Sequence, residues 1–274
     1  MDLVNANVRY WLVSHPIVRE FQWVEGQTFG ASYEFLITTV IIYLSLTAII
    51  NYATKSTSTS SSTSRTLRFI SAVHNFILVI LSLIMAVGCT LSTLTEMPNT
   101  RWIFCFPPTQ TRPIGPVFFW AYVFYLSKIL EFVDTLLILF NRNRRLTFLH
   151  VYHHAVVLVM CYVWLHTCQS LIPVALVTNA TVHTLMYAYY LLCALGKRPP
   201  WKRFVTDCQI VQFVFSFGIS GVMLWYHFTG IGCSGIWGWV FNAVFNASLL
   251  VLFTDFHSSN YSKTKKRGKI KRVD

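Results

Sequence analysis

From Leu146 to Gly196 the chain runs 51 residues without a Lys, Arg, Asp or Glu. A soluble domain carries a charge at about one position in four, whereas a lipid-spanning helix needs about 20 apolar residues. The run is therefore two membrane spans joined by a tight turn, placed at His166–Pro173. The same logic extends along the molecule: 54% of residues are hydrophobic and only 12% are charged, and the mean hydropathy is +0.52. This is an all-α polytopic membrane protein. Its basic residues fall in short clusters between apolar runs, so no nucleic-acid-binding face is expected.

Seven spans are predicted, over residues 29–52, 69–94, 117–140, the two within 146–196, 207–228 and 236–255. Residues 1–28 form a lumenal N-terminal segment with an amphipathic cap and no cleavable signal. Residues 29–256 form the transmembrane domain, and 257–274 a basic cytosolic tail. Five prolines between Glu96 and Pro116 exclude a helix there. The Ser/Thr-rich stretch between Lys55 and Arg68 reads as a flexible loop. One set of loops with the tail holds 17 Lys and Arg, the other set 4, which places the N-terminus in the lumen and the C-terminus in the cytosol. Cys105 and Cys233 then share the oxidising side, where a disulfide between them is expected; two free thiols are the alternative. The sequons at Asn179, Asn246 and Asn260 read as chance matches, two in spans and one cytosolic.

The polar residues inside these spans carry the chemistry. His150, His153 and His154 stand at i, i+3 and i+4 and share a helix face. Lys128, Glu131, Asp134 and Thr135 line one side of the third span. Asn179, His183 and Tyr187 line the fifth, and Gln209 and Gln212 open the sixth. His74, with Asn75, lies in the second span, a candidate support for the others. Four consecutive spans thus bring polar stripes to similar depth, as a shared cavity open to the cytosol would require. Unrelated interhelical hydrogen bonds and a self-neutralising ion cluster are the plainer readings.

Three chemistries fit the histidines. A metal site has His150, His153, His154 and His183 as ligands, fewer than a di-iron enzyme uses. A transporter or receptor would use the charges as a proton relay, yet no internal repeat or broken helix pair is apparent. Metal-free nucleophilic and acid–base catalysis needs only buried neutral imidazoles.

The motifs decide among these by resemblance. Lys128–Thr135 reads KxxExxDT, Leu149–His154 LHxxHH, Asn179–Tyr190 NxxxHxxMYxYY, and Thr206–Phe213 TxxQxxQF. In this order and spacing they resemble the ELO-type fatty acid elongases, membrane 3-oxoacyl-CoA synthases. The resemblance implies six of seven helices forming a barrel around an acyl tunnel, open to the cytosol and sealed toward the lumen. It implies residence in the endoplasmic reticulum membrane and condensation of a long-chain acyl-CoA with malonyl-CoA. No cofactor or metal is implied beyond these co-substrates. The implied partners are membrane lipid, the ketoacyl-CoA reductase and the hydroxyacyl-CoA dehydratase of the elongation cycle, with a homodimer left open. His153 would attack the thioester while His150, His154 and His183 position, polarise or shuttle protons. Lys128, Glu131, Asp134, Thr135, Asn179, Tyr187, Gln209 and Gln212 would contact or support the substrate, and Lys202 and Arg203 would meet the CoA phosphates. Lys271-Arg272 resembles a dibasic retrieval signal.

Overall fold

A computed structural model of the chain describes residues 2–56, 64–141 and 146–259. Residues 57–63 of the Ser/Thr-rich stretch, Arg142, Arg144, Arg145, the sequon at Asn260 and the Lys271-Arg272 signal lie outside the described residues; the ends of that stretch, 55–56 and 65–68, are helical and not loop.

The described residues are almost wholly helical: α1 (Asp2–Arg9), a π turn (Tyr10–Ser14), α2 (Pro16–Arg19), α3 (Tyr33–Ser56), α4 (Arg65–Glu96), a 3-10 turn (Thr100–Ile103), α5 (Pro116–Leu130), α6 (Phe132–Phe140), α7 (Phe148–Thr167), α8 (Ile172–Ala194), α9 (Lys202–Thr229) and α10 (Ile236–His257). Five of them, α3, α4, α7, α9 and α10, are long and apolar enough to cross a membrane. Two of the seven predicted spans differ for identifiable reasons. The third is divided between α5 and α6 at Glu131, so neither half alone is of spanning length. No Pro or Gly causes the break. The Asp134 amide donates to the Glu131 carbonyl at 3.0 Å, a tightened i→i+3 bond at the joint. The fifth, α8, has the length, but Thr178, Asn179, Thr181, His183 and Thr184 lower its hydropathy.

Local chemistry sets the helix ends. Ser64 Oγ accepts from the Thr66 amide at the start of α4, and Thr147 Oγ1 from the His150 amide at the start of α7. Pro116 and Pro173 stand in the first turns of α5 and α8, where the missing N–H costs nothing. Gly235 at φ 69° leads into α10 where a Cβ would strike the Gln169 backbone.

The interhelical loops 97–115, 168–171 and 230–235 meet at one end of the bundle. Ser170 Oγ accepts from the Phe106 amide and donates to the Ser234 carbonyl. Cys105 and Cys233 are disulfide-bonded, with Cα atoms 4.9 Å apart. An irregular strap, residues 20–32, closes the same end. Its Trp23 amide donates to the Pro113 carbonyl, and its Phe21 carbonyl accepts from the Gly115 amide, both at 2.9 Å. Three consecutive strap carbonyls, of Phe29, Gly30 and Ala31, accept the phenol protons of Tyr122, Tyr125 and Tyr162 at 3.0–3.1 Å. Backbone without a ladder of its own is thereby satisfied at the bundle surface. A cavity of about 510 Å³ opens here, between the strap, the end of α4 and the start of α5.

The apolar core runs between α5, α7, α8 and α10, with Phe124, Tyr125, Leu158, Leu165 and Leu176 excluded from solvent. α4 and α8 lie antiparallel: Cys89 Sγ approaches the Pro173 carbonyl at one end, and His74 and Tyr187 share Asp134 towards the other.

Candidate active site

The site is built around a fully buried ion pair. Lys128, on the last turn of α5, directs Nζ onto Glu131 Oε1 at 2.7 Å; the two residues are 0% and 1% exposed. The ammonium also lies 4.1 Å from the centre of the Phe124 ring, a cation–π contact that offsets part of its desolvation. Glu131 itself sits at the joint between α5 and α6. From α8, His183 brings Nδ1 to 3.5 Å from the same oxygen.

α7 supplies the histidine stripe. Because Thr147 caps α7 at the His150 amide, His150 falls in the first turn and the next two histidines one turn on. The His150 and His154 rings stand 4.3 Å apart, and the His153 ring meets His154 edge-on at 5.3 Å. His153 thus stands on the α7 stripe beside His154. Phe245 of α10 covers its other side, ring centres 6.4 Å apart.

Two hydrogen-bonded chains surround this centre. In one, Tyr43 Oη, Thr135 Oγ1 and His150 Nε2 are linked at 3.0 and 2.9 Å. In the other, Asp134 holds His74 Nε2 on Oδ1 at 3.0 Å and accepts the Tyr187 phenol on Oδ2 at 2.9 Å. The Tyr187 ring stands edge-on to His183, centres 5.6 Å apart. Among the buried polar atoms without a hydrogen-bond partner are Glu131 Oε2, His154 Nδ1 and Asn179 Oδ1. In a membrane interior such atoms are costly to leave open.

Of the sequence-predicted residues, Lys128, Glu131, Asp134, Thr135, His150, His153, His154, His183 and Tyr187 stand together here. Gln209 contacts Met186 Sδ at 3.4 Å on the neighbouring turn of α8, and Gln212 is half-buried on α9. Lys202 and Arg203 are exposed at the start of α9, where Arg203 lies 3.6 Å from Asp207 and Asp207 meets His257 at 3.0 Å. Tyr43 is the member that sequence reasoning missed. A tyrosine in an apolar span reads as packing, and only its reach to Thr135, 92 positions on, reveals it. Among the described residues no group of three or more His, Cys, Asp or Glu is arranged to hold a metal ion.

Fold and site together define a multi-pass helical membrane protein with a buried histidine–carboxylate centre. A family profile, ELO: GNS1/SUR4 family, matches residues 28–269, and the chain belongs to that family. It is 30% identical over 275 residues to "Fatty acid elongase 3-like" of Arabidopsis thaliana, covering 95% of this chain and 93% of the relative. It is 29% identical over 281 residues to "Fatty acid elongase sre1" of Dictyostelium discoideum, covering both in full. Over 149 residues it is 36% identical to "Very long chain fatty acid elongase 5" of Xenopus laevis, covering 51% of this chain and 48% of the relative.

Proposed function

We propose that the protein is a 3-oxoacyl-CoA synthase that condenses a long-chain acyl-CoA with malonyl-CoA. The observation that carries this is the buried Lys128–Glu131 pair with His183 against it and the His150–His153–His154 stripe in the same helical bundle, in a chain of the elongase family. His153 attacks the acyl thioester carbonyl; the C–S bond breaks, and the leaving thiolate takes a proton to depart as CoA. Malonyl-CoA then loses CO₂, and the electron pair of the broken bond becomes an enolate. The enolate carbon attacks the acyl-imidazole and expels His153 as the neutral ring. The sum is acyl-CoA, malonyl-CoA and a proton giving 3-oxoacyl-CoA, CO₂ and CoA, with no cofactor. Lys128 favours the enolate and oxyanion, since a preformed cation in a dry site stabilises developing negative charge. His150, His154 and His183 hold or move protons; Asp134, Thr135, Asn179, Tyr187, Gln209 and Gln212 orient the groups around them.

The remaining architecture follows the same reading. Seven spans, six of them walling an acyl tunnel, place the polar end toward the cytosol, where Lys202 and Arg203 meet the CoA phosphates. Residence is the endoplasmic reticulum membrane, with the ketoacyl-CoA reductase and hydroxyacyl-CoA dehydratase of the elongation cycle as partners.

Radiolabelled malonyl-CoA supplied to microsomes bearing the protein tests the reaction: label appears in an acyl chain two carbons longer, and its absence refutes the assignment. The covalent step is tested by mass. Purified protein incubated with acyl-CoA alone gains one acyl group, and His153→Ala does not. Turnover without any such adduct excludes the acyl-imidazole.

A further inference from the structure

α4 carries none of the four motifs, yet it delivers a buried histidine to the site. His74 stands among the lipid-facing side chains of Val73, Phe76 and Ile77 and is itself only 7% exposed. It reaches Asp134 from the side opposite Tyr187, so each carboxylate oxygen is held by a different helix. The adhesion gained from one polar contact between membrane helices is small, and burying an imidazole beside a carboxylate costs more than an apolar pair would. Cohesion alone therefore gives little reason for His74.

The geometry points to a positioning role. We propose that His74 fixes the Asp134 carboxylate so that its second oxygen anchors the Tyr187 phenol, whose ring in turn sets the plane of His183. The inference rests on the condensation read above. Asp134 is held at both oxygens at 2.9–3.0 Å, Tyr187 is 1% exposed, and its ring meets His183 edge-on at 72°. Without His74 the carboxylate is free to rotate about its last bond. The phenol then loses its fixed acceptor, and the imidazole facing Glu131 loses the ring that orients it. The substrate-facing atoms are untouched, so turnover suffers rather than binding.

The test compares purified full-length wild type, His74→Leu, His74→Gln, Tyr187→Phe and His74→Leu/Tyr187→Phe, assayed with a saturated long-chain acyl-CoA and radiolabelled malonyl-CoA. His74→Leu lowers kcat about 10- to 100-fold, the loss of one hydrogen bond to a charged group, with both KM values within about threefold. His74→Gln, which retains a donor for Asp134, recovers kcat to within about threefold of wild type. The double variant is no slower than the slower single one, because both changes break one chain. Full kcat in His74→Leu, additive losses in the double variant, or a His74→Gln as slow as Tyr187→Phe each overturns the role. If His74→Leu does not fold, His74→Ala takes its place under the same criteria. A wild type that incorporates no malonyl carbon overturns the condensation reading and the role with it, whereas an active wild type with a fully active His74→Leu overturns the role only.

Discussion

Replacing Lys128 with Met removes the one strong cation from a carboxylate that water cannot reach. Glu131 is 1% exposed, its Oε1 accepts from Lys128 at 2.7 Å, and its Oε2 already has no protein partner. Breaking a buried pair by deleting one partner typically costs about 3–5 kcal/mol. Two features moderate this. His183 remains 3.5 Å from Oε1, and the carboxyl can escape by taking up a proton, which at pH 7 costs about 4 kcal/mol for an ordinary glutamic acid. The expected loss in Lys128→Met is therefore about 3–4 kcal/mol. Each such unit is worth about 2–4 °C in a domain of 150–250 residues, so the midpoint falls by roughly 6–16 °C. The variant's native state holds a proton that its unfolded state has lost, so its stability rises as pH falls. The defect shrinks by about 1.4 kcal/mol for each pH unit below neutrality. Tryptophan fluorescence during matched heating scans in detergent reads the midpoint, at pH 7 and pH 6. Lys128→Met/Glu131→Leu, with no charge left to bury, regains most of the loss while staying inactive. A midpoint within about 2 °C of wild type, a defect that does not change with pH, or a double variant no more stable than the single one refutes the reasoning.

Tyr43→Phe removes the outer member of the Tyr43–Thr135–His150 chain; kcat in the malonyl-CoA assay falls about threefold to tenfold with folding intact, and an unchanged kcat sinks the relay. Cys105→Ser, Cys233→Ser and the double variant lose the same stability, about 2–4 kcal/mol, because one bridge closes a 128-residue separation; a double variant clearly less stable than either single one contradicts this. Gly88→Ala places a methyl against the Trp120 indole and costs about 1–3 kcal/mol by overpacking, relieved when Trp120 is shortened to Leu; no shift in the thermal midpoint refutes that packing.

Much of this was legible because lipid penalises polarity so heavily. A charge-free run of 51 residues admits few alternatives to two helices, and α7 and α8 occupy it with their turn at Cys168–Leu171. The parity of the loops reduced seven cysteines to two, and those two are bonded. The histidine stripe was visible as spacing, since i, i+3 and i+4 meet on any helix. Other features were not legible for want of a local signal. The joint at Glu131 carries neither Pro nor Gly to mark it. Tyr43 acquires meaning only from a partner 92 positions away, and His74, flagged as a possible support, acquires its partner only in the fold, 60 positions on. Lys202 and Arg203 were chosen as basic residues just before the glutamine motif on the cytosolic side, and a long exposed side chain at a helix start carries no geometric signature of what it binds.

The strap over the loop end has a consequence in time. Residues 29–31 are made before their hydrogen-bond donors: Ala31 takes its bond from Tyr162, 131 positions later. At about 5–20 residues per second, that partner is about 7–26 s away. The Phe29 and Gly30 carbonyls wait for Tyr122 and Tyr125, 93 and 95 positions on. The strap therefore sets only once α5 and α7 have come together against it.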